Sequence, residues 1–179
     1  MKGKQKRAII KDEHLKKEVN QQINEKMQKT SKTIAEEGLL PQNAIGISES
    51  MVEGLYAQAY RLYNTGQYDD AGQIFRMLLG LNPTQPKYAM GLAATYHLRK
   101  MYENAVELYQ MAAILDPKNP LPHYHSSDCF LKLNDSLSAI ISLEMTLSRA
   151  EGKKQFQTLY DRANMTLQGL KKELKERGS

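Results

Sequence analysis

The stretch KYAMGLAATYHLRKMYENAVELYQMAAILDPKNP, residues 87–120, carries Ala89, Leu92, Ala93 and Tyr96 at helical spacing, then a polar break, then Ala105 and Tyr109 on a second helical face. Asp116-Pro117 ends it, because a residue before proline is driven out of the α region. The reading is a pair of short helices folded back on each other. The same skeleton recurs on both sides: Ala71, Ala105 and Ala139 stand at one constant interval, which also separates Phe75, Tyr109 and Leu143, and Pro83 from Pro117. A fixed period of this kind means stacked units that bury a shared core, and it dictates the architecture.

The interval and the residue types that keep it follow the tetratricopeptide (TPR) pattern, W-x2-L-G-x2-Y, then A-x3-F, then P. The second repeat fits best, as Ala89-x2-Leu92-Ala93-x2-Tyr96, Ala105-x3-Tyr109 and Pro117. The first reads Leu55-x2-Gln58-Ala59-x2-Leu62, Ala71-x3-Phe75 and Pro83, with Gln58 where an apolar residue is usual. The third, His123-x2-Ser126-Ser127-x2-Phe130 and Ala139-x3-Leu143, drifts furthest and has Glu151 in place of the proline. Small residues at 59, 93 and 127 and at 71, 105 and 139 suit the close approach of paired helices. Thr65-Gly66-Gln67, residues 98–101 and Asn134-Asp135-Ser136 supply the short links. The fold class predicted is all-α, a TPR-type α-solenoid of three helix-turn-helix repeats at residues 52–85, 86–119 and 120–152. A capping helix and tail follow over 153–179, its apolar face traced by Phe156, Leu159, Tyr160, Ala163, Leu167, Leu170 and Leu174. Gly169 predicts a frayed end for it.

A lead-in segment, residues 36–51, places Ser48 as N-cap of the first repeat helix. Ahead of it, residues 1–35 form a basic extension, partly helical or disordered. Leu15, Val19, Ile23 and Met27 make a thin apolar stripe there, which suits either a helix docking on a partner or second copy, or a marginal helix. Of the net charge of +5, residues 1–33 hold ten Lys/Arg against four Asp/Glu, so the repeats are close to neutral. That arm has no aromatic residue to stack on bases, and a solvated arm is favoured over nucleic-acid binding.

The 179 residues contain no apolar run near the roughly 18 that a membrane span needs, and MKGKQKRAII is too short in apolar residues for a secretory signal. The expectation is an intracellular protein that does not insert in membranes. Cys129 is the single cysteine, so neither an intrachain disulfide nor a CxxC site is available. His123 and His125 lack a third ligand nearby and read as ordinary side chains, not a metal site. With no GxxxxGK[ST] and no nucleophile beside a base, the sequence asks for no cofactor and reads as a non-enzyme.

Tyr56, Tyr60 and Tyr63 recur at helical spacing, one residue round from the core stripe Leu55, Ala59 and Leu62. They face either the concave surface of the stack or the packing between helices. In the groove reading, the equivalent positions one and two repeats on continue the lining: Met90, Ala94, His97, then Tyr124, Asp128, Leu131, with Asn64 adjoining. Such an apolar, aromatic trough fits an extended peptide.

Three segments, residues 55–83, 87–120 and 121–144, together resemble the SycD/LcrH-type class II chaperones of bacterial type III secretion. The family pattern LY-x3-F-x2-Y-x2-G-x-Y-x-x-A is met from Leu55 to Ala71, with Tyr60 in the phenylalanine position. Its P-x-F-H-A-A-E-C-x-L ending appears as Pro122 to Leu131, with Ser126-Ser127 for Ala-Ala, a change expected to make that wall more polar. The resemblance implies a chaperone of the bacterial cytoplasm that binds hydrophobic translocator proteins before export, holding a proline-containing segment of the P-x-L-x-x-P kind in the groove. It also implies a possible homodimer, which the basic extension puts in question. The alternative is a TPR scaffold joining folded partners.

Overall fold

The computed structural model describes residues 46–177; the predicted stripe at Leu15, Val19, Ile23 and Met27, the basic extension and most of the lead-in lie outside them. Among the described residues, seven helices make up the unit Glu49–Ser179: α1 Glu49–Asn64, α2 Tyr68–Leu81, α3 Pro86–Leu98, α4 Tyr102–Leu115, α5 Leu121–Lys132, α6 Ser136–Ala150 and α7 Gln157–Arg177. A 3-10 turn, Lys154–Phe156, leads into α7. Each helix packs on its neighbours in sequence, and α1 also meets α3, as three stacked hairpins and a cap require.

The hairpins close through the small residues. Ala59, Ala93 and Ser127 on the first helices and Ala71, Ala105 and Ala139 on the second are all buried. With such small side chains at the crossings, the helices approach until the larger ones interdigitate. Phe75, Tyr109 and Leu143, one per repeat, fill the space behind them and are each 1% exposed. Tyr109 shares its cluster with Ala93, Ala105, Val106 and Cys129. Leu143 meets Ala163 and Leu167 of α7, so the cap seals the third repeat.

The turns inside the hairpins are one structure repeated. Gly66, Lys100 and Asn134, equivalent positions in the three repeats, have φ of +81°, +61° and +59°. At each, the next residue's N–H reaches five residues back: Gln67 to Leu62, Met101 to Tyr96 and Asp135 to Phe130, at 2.9 Å every time. The left-handed residue itself bonds three back, to Tyr63, His97 and Leu131. This is the Schellman arrangement, which satisfies carbonyls that a helix end otherwise orphans. Glycine and asparagine tolerate the left-handed conformation; lysine has a Cβ that resists it. The links are visible in the sequence as short polar breaks, but their common geometry is not.

Hairpins are separated by Asn82-Pro83 and Asp116-Pro117, as predicted, and Asn82 Oδ1 accepts from both the N–H and the hydroxyl of Thr84. Asp135 caps α6 by accepting from the Ser138 N–H at 3.0 Å, so Ser136, predicted in the link, is already helical. Helix α1 begins directly after Ser48, at the predicted N-cap position.

Two expectations need correction. Ser126 and Ser127 do not make a groove wall more polar: both are 3% exposed, and the Ser127 hydroxyl donates back to the Tyr124 carbonyl at 2.6 Å. A buried serine that bonds within its own helix adds little polarity to its surroundings. The face of the capping helix is also narrower than predicted. Ala163 and Leu167 are buried and Leu170 packs beside them, whereas Phe156 sits in the 3-10 turn and Leu174 is 37% exposed. Helix α7 nevertheless runs through Gly169 to Arg177, with Lys171 tied to Glu144 of α6 at 2.8 Å.

Replacing Lys100 by glycine removes the Cβ strain of the left-handed turn, and Lys100→Gly is expected to stabilise the chain by about 0.5–1 kcal/mol. Urea unfolding of the two proteins measures it; a loss of stability would mean the turn is not strained.

Candidate functional site

The first helices of the hairpins, α1, α3 and α5, line an apolar trough of about 400 Å³. Tyr56, Tyr60 and Tyr63 come from α1, Pro86, Met90, Gly91 and Ala94 from α3, and Leu121 from α5. Phe75 of α2 forms its floor, and Lys87, Asp116 and Asn119 stand at its polar edges.

The tyrosines divide between packing and exposure. Tyr56 is half-buried, edge-on to Phe75 with centroids 6.0 Å apart, and leans on Tyr88 at 5.8 Å. Tyr60 stacks on Tyr56 at 6.5 Å and leaves 54% of its surface exposed. Tyr63 is half-buried and edge-on to Tyr68, and burial raises its hydroxyl pKa, with Tyr68 and Tyr60 adding to the effect. Core aromatics thus prop an exposed one, a geometry in which each ring pair adds to area burial. The Lys87 ammonium lies 4.6 Å from the Tyr56 centroid and is held at 2.6 Å by Glu53, its equivalent position on α1.

Gly91 sets the depth of the trough. A Cβ built there would lie 2.4 Å from the Phe75 ring, so the ring rests directly on the α3 backbone. No residue with a side chain leaves space for that contact.

Met90 and Ala94 line the trough as the repeat offset predicts. His97 and Asp128 meet each other, with Nε2 to Oδ2 at 2.8 Å, and the Tyr109 hydroxyl is 3.5 Å from His97 Nδ1. Tyr124 instead packs against Leu143, Ala163 and Leu167, drawn into the core that α7 creates. Asn64, the last residue of α1, is exposed and lies outside the lining; Leu131, near the end of α5, is half-buried and also outside it. Phe75, Pro86, Lys87, Gly91, Asp116, Asn119 and Leu121 were not among the predicted site residues. Asp116 and Asn119 lie just before α5, and Pro86, Lys87 and Leu121 open α3 and α5, positions that the offset from the α1 tyrosines does not reach.

His123 and His125 point to different surroundings. His125 stacks on Tyr109, centroids 5.4 Å apart, while His123 lines a separate depression between α4, α5 and α6. Burial, then the neighbouring His97, lowers the pKa of His125, against the opposing pull of Asp128; burial and Arg149 lower that of His123. The Cys129 thiol is pushed up to about 12, by burial and then by Asp128, which leaves it unreactive.

The tetratricopeptide repeat family matches residues 52–82 and 86–119, leaving the divergent third repeat outside. Chaperone protein SicA of Salmonella typhimurium is 35% identical over 115 residues, covering 64% of this chain and 70% of the relative. Low calcium response locus protein H of Yersinia pestis is 30% identical over 125 residues, covering 70% of this chain and 74% of the relative. The crystal structure of PcrH from Pseudomonas aeruginosa, in complex with the chaperone binding region of PopD, superposes with a TM-score of 0.70 at 30% identity, over 72% of this chain and 96% of that one.

Gly91→Ala forces the Phe75 ring off the α3 backbone, and the expected result is a destabilisation of about 1–3 kcal/mol, measured by urea unfolding. A second prediction concerns pH. Because the fold lowers the His125 and His123 pKa values below the ordinary value of about 6.5, the unfolded chain binds more protons in the window between, and stability falls as pH drops through it. Unfolding midpoints at pH 7 and pH 5 should show the fall, and it should be smaller in His125→Phe.

Proposed function

We propose, because the chain belongs to the SycD/LcrH-type class II translocator chaperones of bacterial type III secretion, that it holds a hydrophobic translocator protein before export by taking an extended segment of it into the trough between α1, α3 and α5. The observation that carries this reading is the exposed ring of Tyr60, propped by Tyr56 and Phe75 above a glycine. An apolar surface so constructed is stable in water only at a cost, and burial of a client's apolar side chains recovers about 25 cal/mol per Å² of it. The SicA and PcrH relationships support the same reading, since the PcrH complex carries the chaperone binding region of PopD.

A proline-containing client suits the trough physically. Extended proline-rich chain has little conformational freedom to lose, so more of the contact energy remains as affinity. Holding requires no bond to be made or broken, and the reading is of a binding protein rather than an enzyme. No helix among the described residues is long and apolar enough to cross a membrane. The reading places the protein in the bacterial cytoplasm, where a translocator must be kept from aggregating and from inserting prematurely.

Tyr60→Ala is the direct test. The ring is exposed, so helicity and unfolding midpoint should be preserved, while affinity for proline-containing translocator peptides falls about tenfold, as removal of an aromatic anchor does. Circular dichroism with fluorescence-anisotropy titration reads both. Unchanged peptide affinity, with folded proteins captured equally by both forms, would favour a scaffold instead.

A further inference from the structure

The trough is apolar along its centre and anionic beyond it. Met90 and Ala94 precede His97 on α3 by seven and three positions, and Leu121 precedes Asp128 on α5 by seven. Helical spacing therefore carries the two lining faces on to the His97–Asp128 pair, about one turn past Ala94 on α3 and about two turns past Leu121 on α5. There the His97 ring is fixed on several sides. Tyr102 and Tyr109 meet it edge-on at 5.9 and 6.2 Å, Nε2 donates to Asp128 at 2.8 Å, and Nδ1 faces the Tyr109 hydroxyl. Tyr109 is itself buried and stacked on His125.

The carboxylate held in this way is not used up. The Asp128 side chain is 49% exposed, and His97 engages one oxygen while the other has no partner among the described residues. A second carboxylate at the trough edge, Asp116, likewise has no side-chain partner among the described residues. Lys87, the one cation among the described residues that line the trough, is already bonded to Glu53. Asp116 shares a second depression with Lys118 and Lys153, so the anionic capacity left beside the apolar surface is that of Asp128.

We propose that Asp128, positioned by His97, is a cation-recognition point, so that the segment bound in the trough carries a Lys or Arg beside its apolar anchors. This rests on the preceding reading of the trough as a client site and specifies the client's chemistry. A carboxylate that is already oriented loses little freedom on pairing, and a charge-assisted hydrogen bond from an ammonium or guanidinium is stronger than one from a neutral donor. Half exposure keeps the gain modest and sensitive to salt.

The experiment uses the full chain and fluorescent probe peptides with prolines and leucine at P-x-L-x-x-P spacing, in which a single Lys, Gln or Glu is walked through every other position. At one position the parent chain should prefer Lys over Glu by about tenfold at low salt, with Gln between, and less at high salt. Asp128→Asn should abolish that preference, Asp128→Lys should reverse it, and Asp116→Asn should leave it at that position. His97→Gln should weaken it without changing affinity for the all-Gln peptide. Circular dichroism confirms that each variant is folded. Peptides that bind but show no position where Lys and Glu differ, or a preference that survives Asp128→Asn, overturn the proposal and leave the client site standing. Failure of every probe to bind the parent chain overturns the client site and the proposal with it.

Discussion

Paired helices touch through alanine and serine at six buried positions, and the rest of the structure depends on that closeness. A larger residue at 71, 105 or 139 would lift one helix off the other and open the space that Phe75, Tyr109 and Leu143 fill. Because the crossings recur at a constant interval, each hairpin meets the next in a similar way, and the first helices align side by side. The trough is a consequence of that alignment. Its floor depends on one more close approach, the Phe75 ring on the Gly91 backbone.

The trough in turn is neither core nor ordinary surface. Tyr56 belongs partly to the packing, through Phe75 and Tyr88, and partly to the exposed lining, through Tyr60. This continuity lets an apolar surface remain in place without collapsing inward, since the rings beneath it are already packed. It also explains why the two readings of the tyrosines left open by the sequence each describe part of the truth.

Much of this was legible in the sequence because the period is a geometric statement. Positions one period apart occupy equivalent places, so Ala71, Ala105 and Ala139, and the lining residues Met90 and Ala94, could be assigned from the first repeat. Equivalence fails where the surroundings are not repeated. Tyr124 faces α7, which has no counterpart beside the first two repeats, and so it joins the core. Leu121, Asp116 and Asn119 reach the trough from the junction between repeats, which the helical stripe does not describe. The Lys100 turn was hidden for another reason: glycine announces a left-handed turn in sequence and lysine does not.

Two ion pairs join neighbouring first helices, towards opposite ends of α3. Glu53 and Lys87 link the starts of α1 and α3, whereas His97 near the end of α3 meets Asp128 just past the middle of α5. Each pair is small in energy, and α3 packs chiefly on α2 and α4 rather than on α1. The pairs therefore mark the register between first helices that the hairpin packing has already placed, one towards each end of α3.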